Sequence, residues 1–551
     1  MTGLTREGEF EDISFTLHAG EIVGLFGLVG SGRSELARCV FGAEPAGAGE
    51  VRLPGGGGDF RTPAQAIAAG LALVTEDRKR SGLVLGMTVR DNIALTTLHS
   101  TRRGPFIDTA RRRRDVTEMI DRLNIQPAHC ASMAVVNLSG GNQQKAVLAK
   151  WLLVGPRVLI LDEPTRGVDM ATRVDIYRMI DELAREGLSV LLISSDLTEV
   201  LGATDRVLVM NQGAQRRPAL GPDHGGRDPR LLDWTPRMTG QLIKPVPAAA
   251  SGAGRLPRLV LGGRDLTAPA AFVALVVLLV AVAATTSDTF LTQTNLTNLL
   301  KQMVTTGLLA FGMLVVILTG GIDLSVGSVV AISGILSAGL VSGLPLPVAI
   351  AAGLAAGIGF GLINGTLVAR FGLAPFVVTL AALTTVRGLA FVYSEVPIAP
   401  EDESFLTLGS AMIGPIPLST VIMLVVFLVG GVFLTRTPAG RSIVAIGGNA
   451  ETVRLAGINV RRHVILAYAI SGACAGLAGV ILASRVGIAQ PSVGVAFELD
   501  AIAACVIGGA SLAGGRGSVK ATFGGVLVLV LINNLLNLYG VQSFWQQVLK
   551  D

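Results

Sequence analysis

Gly27-Leu-Val-Gly-Ser-Gly-Arg-Ser34 follows the apolar run Glu21-Ile-Val-Gly-Leu-Phe26 and precedes the helical Glu35-Leu-Ala-Arg-Cys-Val-Phe41. A strand, a glycine-rich loop and a helix, in that order, let backbone N–H groups converge on phosphate oxygens in front of the positive end of a helix. The pattern is G-x-x-x-x-G-K-[ST] with one departure, Arg33 in place of lysine. Outward from this stretch, residues 1–235 alternate short β-branched runs with helical patterns. That alternation predicts a parallel sheet with crossover helices.

Two further motifs stand at the expected distance. Val158-Leu-Ile-Leu-Asp-Glu163 is an apolar strand ending in two carboxylates. Asp162, with the Ser34 hydroxyl, is placed to hold Mg²⁺, and Glu163 to polarise an attacking water. Between the motifs lies Leu138-Ser-Gly-Gly-Asn-Gln-Gln-Lys145, a hydroxyl and two glycines opening a helix, which makes a second anion site.

Charge is distributed unevenly along the 551 residues. The net charge is +5, but the last 284 residues carry 22 charged side chains and the first 267 carry 63. One soluble unit followed by one membrane unit explains that split. High hydrophobicity excludes disorder. Cys39, Cys130, Cys474 and Cys505 form no C-x-x-C pair, so a disulfide framework or zinc site is not expected. Arg111 to Arg114 is the one basic run and reads as a solvated helix face; no nucleic-acid partner is implied.

Nine apolar spans are predicted near 267–285, 303–320, 324–343, 347–369, 375–394, 416–434, 463–484, 499–515 and 520–539. The loop holding Arg436, Arg441, Arg454, Arg461 and Arg462 has Glu451 as its one acid and is assigned to the cytoplasm. Counting from it places the N-terminal half inside and Glu395–Glu403 outside, with Lys301 and Arg485 as exceptions. Asp323, Ser325 and Arg387 lie at or near membrane depth, with Asn533, Asn534 and Asn537 in the ninth span. Such groups line a polar path or bond helices together; for Asp323 a short cytoplasmic turn is the alternative.

The three motifs together resemble ATP-binding-cassette ATPases over about residues 5–212. Gly27–Glu35, Thr75-Glu-Asp-Arg-Lys-Arg-Ser-Gly-Leu83 and Ile193-Ser-Ser-Asp196 are more closely similar to the second cassette of ribose-type sugar importers. Gly321–Ser328, Gly447–Ile458, Glu498–Ala504 and Gly508–Gly515 resemble the permease of the same importers. The resemblance implies an α/β P-loop cassette at 1–212, a linker at 213–266, and an all-α polytopic membrane domain at 267–551 with nine helices where the family has ten. It further implies ATP-driven import of a monosaccharide-like substrate across the cytoplasmic membrane, with the cassette on the cytoplasmic side.

The site residues implied are Gly27, Gly30, Gly32, Arg33, Ser34, Glu35 and Glu76 around ATP, with Ser139, Gly140, Gly141 and Gln143 completing a partner's site. Ser195 stands at the family's switch-histidine position, and Glu163 is the catalytic carboxylate. With Arg33, Glu76 and Ser195 as departures, the chain's own site reads as degenerate. Gly448, Asn449, Arg454 and Gly457 are expected to couple cassette to membrane. The partners implied are a periplasmic or lipoprotein sugar-binding protein, a second cassette or a second copy, and membrane lipid. The alternative is a truncated fusion product that binds ATP without transporting, suggested by the single cassette and the absent tenth span.

Overall fold

The computed structural model describes residues 1–53, 58, 60–216, 260–261, 264–265, 267–542 and 545. Residues 2–216 form the predicted α/β unit. Its strands are β1 (Thr2–Arg6), β2 (Phe10–Ile13), β3 (Ile22–Gly27), β4 (Ala48–Glu50) and β5 (Leu71–Val74), then β6 (Arg102–Arg103) and β7 (Phe106–Ile107), then β8 (Val158–Asp162), β9 (Ser189–Ser194), β10 (Arg206–Asn211) and β11 (Ala214–Arg216). Nine of them form one sheet in the order β4-β1-β2-β11-β10-β3-β9-β8-β5. The run β10-β3-β9-β8-β5 is parallel, and β3, β9, β8 and β5 are buried on both faces as crossover topology demands, whereas β10 is half-exposed.

The helices of this unit are α1 (Arg33–Val40), α2 (Pro63–Ala68), α3 (Val89–Ile93), α4 (Thr109–Arg122), α5 (Gly140–Leu152), α6 (Met170–Arg185) and α7 (Leu197–Ala203). The first starts two residues earlier than the sequence pattern suggests, at Arg33. The expected domain limit at 212 is corrected: Ala214 to Arg216 form strand β11, seated between β10 and β2, because Asn211–Gly213 is a hairpin turn that returns the chain onto β10. Most of the expected linker lies outside the described residues.

Phe41 and Trp151 meet edge to face at 5.4 Å in the cassette core. Beside them Lys150 is 1% exposed. Its Nζ donates to Gly82 O at 2.8 Å and lies 4.9 Å from the Trp151 ring.

The membrane half contains α8 (Thr267–Thr286), α9 (Gln293–Leu318), α10 (Val326–Leu340), α11 (Leu346–Phe371), α12 (Pro375–Tyr393), α13 (Glu403–Ser410), α14 (Leu418–Arg436), α15 (Pro438–Gly448), α16 (Ala450–Leu455), α17 (Val460–Val486), α18 (Phe497–Ile507) and α19 (Val519–Leu538). Among the described residues six of these are long and apolar enough to cross a bilayer. The nine expected spans are therefore corrected in part. Helix α10 has 15 residues, about 22 Å of rise, short of the hydrocarbon thickness. The apolar run 499–515 is not one helix: α18 stops after 11 residues, where Gly509 takes φ +78° and Ala510 N turns back to Cys505 O.

Burial ranks the spans. The apolar window of α9 is 78% buried, against 22% for α11 and α12, so α9 is the central rod and the other two face outward. Yet α11 lies directly on α17. Gly353, Gly357, Gly361 and Gly365 recur every four residues, and a Cβ at Gly357, Gly361 or Gly365 would strike backbone of α17 at Gly472, Tyr468 or Ile465. Small residues at this spacing let two backbones touch.

Burial holds the Lys150 ammonium well below its ordinary 10.5, at about 7. The unfolded chain therefore binds more protons between those values, and cassette stability rises with pH through that window and is flat below it. Melting temperatures from about pH 7 to 10 should climb in the parent relative to Lys150→Met, which lacks that slope.

Candidate functional site

The glycine-rich loop is shaped by close approach. Gly30 and Gly32 take φ of +82° and +89°, and a Cβ on Gly32 would collide with Glu9 O. The loop delivers Arg33 and Ser34 to the floor of a cleft of about 540 Å³, lined also by Gly30, Gly32, Glu35, Glu76, Glu163 and Ser195. Eight of the residues expected from sequence thus meet in one place, and Gly27 closes the strand beneath them.

Asp162 is 4% exposed. Burial raises its pKa to about 6, partly opposed by a hydrogen bond from Ser34. Its Oδ1 has no hydrogen-bond partner. A buried orphan carboxylate oxygen beside a hydroxyl fits a hard divalent cation such as Mg²⁺. Glu163 sits at φ +49° and accepts from the backbone N–H of Ser195 at 2.7 Å. Ser195 therefore serves Glu163 through its main chain. Arg33 Nη2 lies 3.5 Å from Glu163 Oε1 in a pair of which both members are largely buried, and Arg33 Nη1 is unpartnered. Glu76 pairs with Arg166 at the rim.

The second anion motif stands outside this cleft. Ser139 caps α5, with its Oγ 2.9 Å from Asn142 Nδ2. Gly140 and Gly141 lie against Arg78 and Thr172. Gln143 is corrected: it is buried, donates to Val135 O and Leu138 O at 3.3 and 3.1 Å, and braces the turn before the motif instead of facing a ligand. Arg78 reaches Gln143 Oε1 and the carbonyls of Arg166 and Gly167, tying α5 to the segment after β8.

In the membrane half, Asp323 is 1% exposed and fully engaged. It accepts from Ser325 N and Oγ at 3.1 and 2.6 Å and from Ser471 Oγ at 2.9 Å, and Asn364 bonds Ser325. Asp323 thus lies in the short turn between α9 and α10, as the alternative reading had it, and there forms part of a buried polar cluster. Arg387 has different partners, the carbonyls of Pro491 and Val493. Asn534 pairs with Asn295, linking α19 to α9.

The two halves meet around 447–458. Asn449 Nδ2 donates to the carbonyls of Lys79, Arg80 and Leu83 at 3.2, 2.9 and 3.0 Å. Its Oδ1 caps α16 through Thr452 N. Gly448 leaves room for Val84, and Gly457 at φ +80° for Ala64 and Ile67. Arg454 is chelated by Glu451 and donates to Ala43 O at 2.7 Å. Val84, Met87, Leu95, Leu98 and Ile107 of the cassette share one apolar cluster with Ala445, Ile446, Val453, Ala456 and Ile458.

Sequence reading missed several supports. Asp91 bridges Arg112 of the cassette and Arg441 of α15, and burial of this carboxylate is outweighed by the two guanidiniums, which hold its pKa below the ordinary range. Asn92, 1% exposed, clamps the segment below Asn449: Val84 N donates to its Oδ1 at 2.7 Å, and its Nδ2 donates to Val84 O and Thr88 O, each at 3.0 Å. Glu199 is buried and joins Thr165 to Ser194. None of these sits in a motif; Asp91 and Glu199 are defined by partners distant in sequence, and Asn92 by a local backbone turn.

Replacing Asn92 with Leu strands the Val84 N–H, whereas Val84 O keeps the Met87 N–H. A stranded buried group costs about 1–3 kcal/mol. The expected outcome is a lowered melting temperature and faster proteolysis between residues 78 and 92, read by mass spectrometry of limited digests.

Two family models match the chain: ABC transporter at residues 10–166, and branched-chain amino acid transport system / permease component at 295–550. A ribose import ATP-binding protein, RbsA 2 of Streptomyces avermitilis, is 53% identical over 210 residues, covering 38% of this chain and 41% of its own. A putative ribose/galactose/methyl galactoside import ATP-binding protein of Rhizobium etli is 50% identical over 213 residues, covering 39% and 40%. A solved nucleotide-free ATP-binding cassette from an ABC transporter overlays 42% of this chain and 95% of its own at 21% identity, with a TM-score of 0.36. The chain spans about two-fifths of the length of the curated relatives it matches. It is a multi-pass membrane protein in which an ABC transporter cassette, on the cytoplasmic side, is joined end to end with a permease-component membrane domain.

Proposed function

We propose that this chain is the ATPase-and-pathway subunit of an importer for a monosaccharide-like substrate, working with a separate substrate-binding protein and a partner cassette. The observation that carries the reading is the seat of Asn449 on the carbonyls of Lys79, Arg80 and Leu83. That segment leads directly from the cleft residue Glu76, and Lys150 ties its Gly82 to the helix behind Ser139. A change at the nucleotide therefore has a short mechanical route into α16 and α17. The names of the sugar-import relatives support the substrate class, whereas the description of the permease family speaks for branched-chain amino acids. Uptake assays should include ribose, galactose and leucine.

In this reading Gly30, Gly32, Arg33, Ser34 and Glu35 hold the phosphates, while Ser34 and Asp162 hold Mg²⁺, which supplies charge neutralisation at the phosphates. Glu163 orients water. Arg33 already leans on Glu163 at 3.5 Å, which competes with that role and makes the chain's own turnover slow. Ser139, Gly140 and Gly141 complete the site of the partner, a different cassette or a second copy. Asp323 and Ser325 line the path, and Arg387 braces its outer loop. The receptor docks near 395–415, where α13 and a short hairpin face outward.

ATPase rate in nanodiscs, alone and with a complete two-cassette partner, tests the reading. Turnover with the partner and little without supports it. Fast turnover alone overturns the degenerate-site part, and none in either case favours the non-transporting product. Glu163→Gln is expected to lower the chain's own turnover about a hundredfold with nucleotide binding retained. Asn449→Ala removes the amide that three carbonyls share and should lower uptake about tenfold or more; uptake at the parent rate would remove this seat from the mechanism.

A further inference from the structure

The cassette carries a short hairpin that the transport reading leaves unused. Strands β6 and β7 pair Arg102 with Ile107 and Arg103 with Phe106, around a turn at Gly104-Pro105. Three contacts fix its height. Ile107 is buried in the cluster that takes in Ile458 and packs against Val460 and Val464 of α17. His99 and His463 have ring centroids 6.3 Å apart. Arg112, just beyond the hairpin, is pinned through Asp91 to Arg441. Val460 to His463 is the first turn of a membrane-crossing helix, polar at Arg461, Arg462 and His463 and apolar after it. The hairpin is therefore held level with the headgroup layer.

Its other face is open. Phe106 is 46% exposed, and Arg102 and Arg103 are exposed. Asp115 pairs with Arg111, and Asp108 caps α4 at 2.9 Å from Arg111 N while feeling the charge of Arg103 and Arg114 without an ion pair. Among the described residues Arg102, Arg103, Arg113, Arg114, Arg461 and Arg462 form no ion pair. An unpaired cationic rim with an exposed aromatic, fixed at a bilayer surface, has the chemistry of a lipid contact.

We propose that the Arg102–Ile107 hairpin is a membrane-surface contact, in which Arg102 and Arg103 bind headgroups of anionic phospholipids in the cytoplasmic leaflet and Phe106 enters their interfacial layer. The contact anchors the cassette laterally beside α17. It requires only that the chain spans a membrane, so it stands apart from the transport reading.

The full chain is placed in phosphatidylcholine nanodiscs doped with phosphatidylglycerol bearing a photoactivatable headgroup, and crosslinked peptides are mapped. The peptide holding 102–107 should be labelled, with labelling weakened by salt. Each arginine removed in R102Q/R103Q should lower it about fivefold, R102K/R103K should restore it, and F106S should reduce it. Equal labelling by a photoactivatable phosphatidylcholine, or labelling unmoved by R102Q/R103Q in a chain of parental melting temperature, overturns the proposal. So does an unlabelled hairpin whose arginines instead retain the detergent-solubilised chain on immobilised RNA.

Discussion

The carboxamide of Asn449 is shared among three main-chain carbonyls of a different domain. Its hydrogens fill acceptors that the wide turn Arg78–Gly82 leaves open, while its oxygen starts α16. One side chain thus ends a cassette turn and begins a membrane-domain helix. The surrounding parts are arranged to keep it there. Asn92 stiffens the segment from below, Arg454 grips Ala43 at one side, and Asp91 holds Arg441 at the other. Apolar contacts around Val84 and Ile446 back the seat on its Leu83 side, while the Lys79 and Arg80 carbonyls lie at its exposed edge.

The nucleotide cleft shows a second constraint of the same kind. Glu163 is held in a left-handed backbone conformation by N–H donation to Ile193 O and by the Ser195 N–H on its carboxylate. Into that fixed position comes Arg33, whose planar fork reaches further than an ammonium and carries more donors. The pairing follows from loop geometry, since Gly30 and Gly32 set the direction in which residue 33 leaves the loop.

Much of this was legible in the sequence because short motifs encode local backbone. The glycine-rich loop, the strand ending in Asp162 and Glu163, and the Ser139 cap each depend on neighbours within a few residues. The 447–457 segment was also placed, through its resemblance to a known permease. What stayed hidden depends on distant partners. Asp91 reads as an ordinary helix-start acid until Arg441 arrives from 350 residues away. Asn364 and Ser471 look like incidental polar residues in apolar runs until they close around Ser325 and Asp323. Hydropathy counted the run 499–515 as a span because it registers apolar length, whereas Gly508 and Gly509 stop the helix by backbone conformation.

The glycine stripe between α11 and α17 bears on how motion can pass through the membrane. Where side chains separate two helices, a soft layer can absorb a shift by changing rotamers. Gly357 and Gly472 bring main chain against main chain, so that layer is missing. Helix α17 runs 27 residues, about 40 Å, from the cassette seat to Val486. At its far end Ser484 is bonded to Phe405 and Gly409 of α13. Between Asn459 on the cytoplasmic side and the opposite face the pair therefore offers no side-chain layer in which a shift could be absorbed.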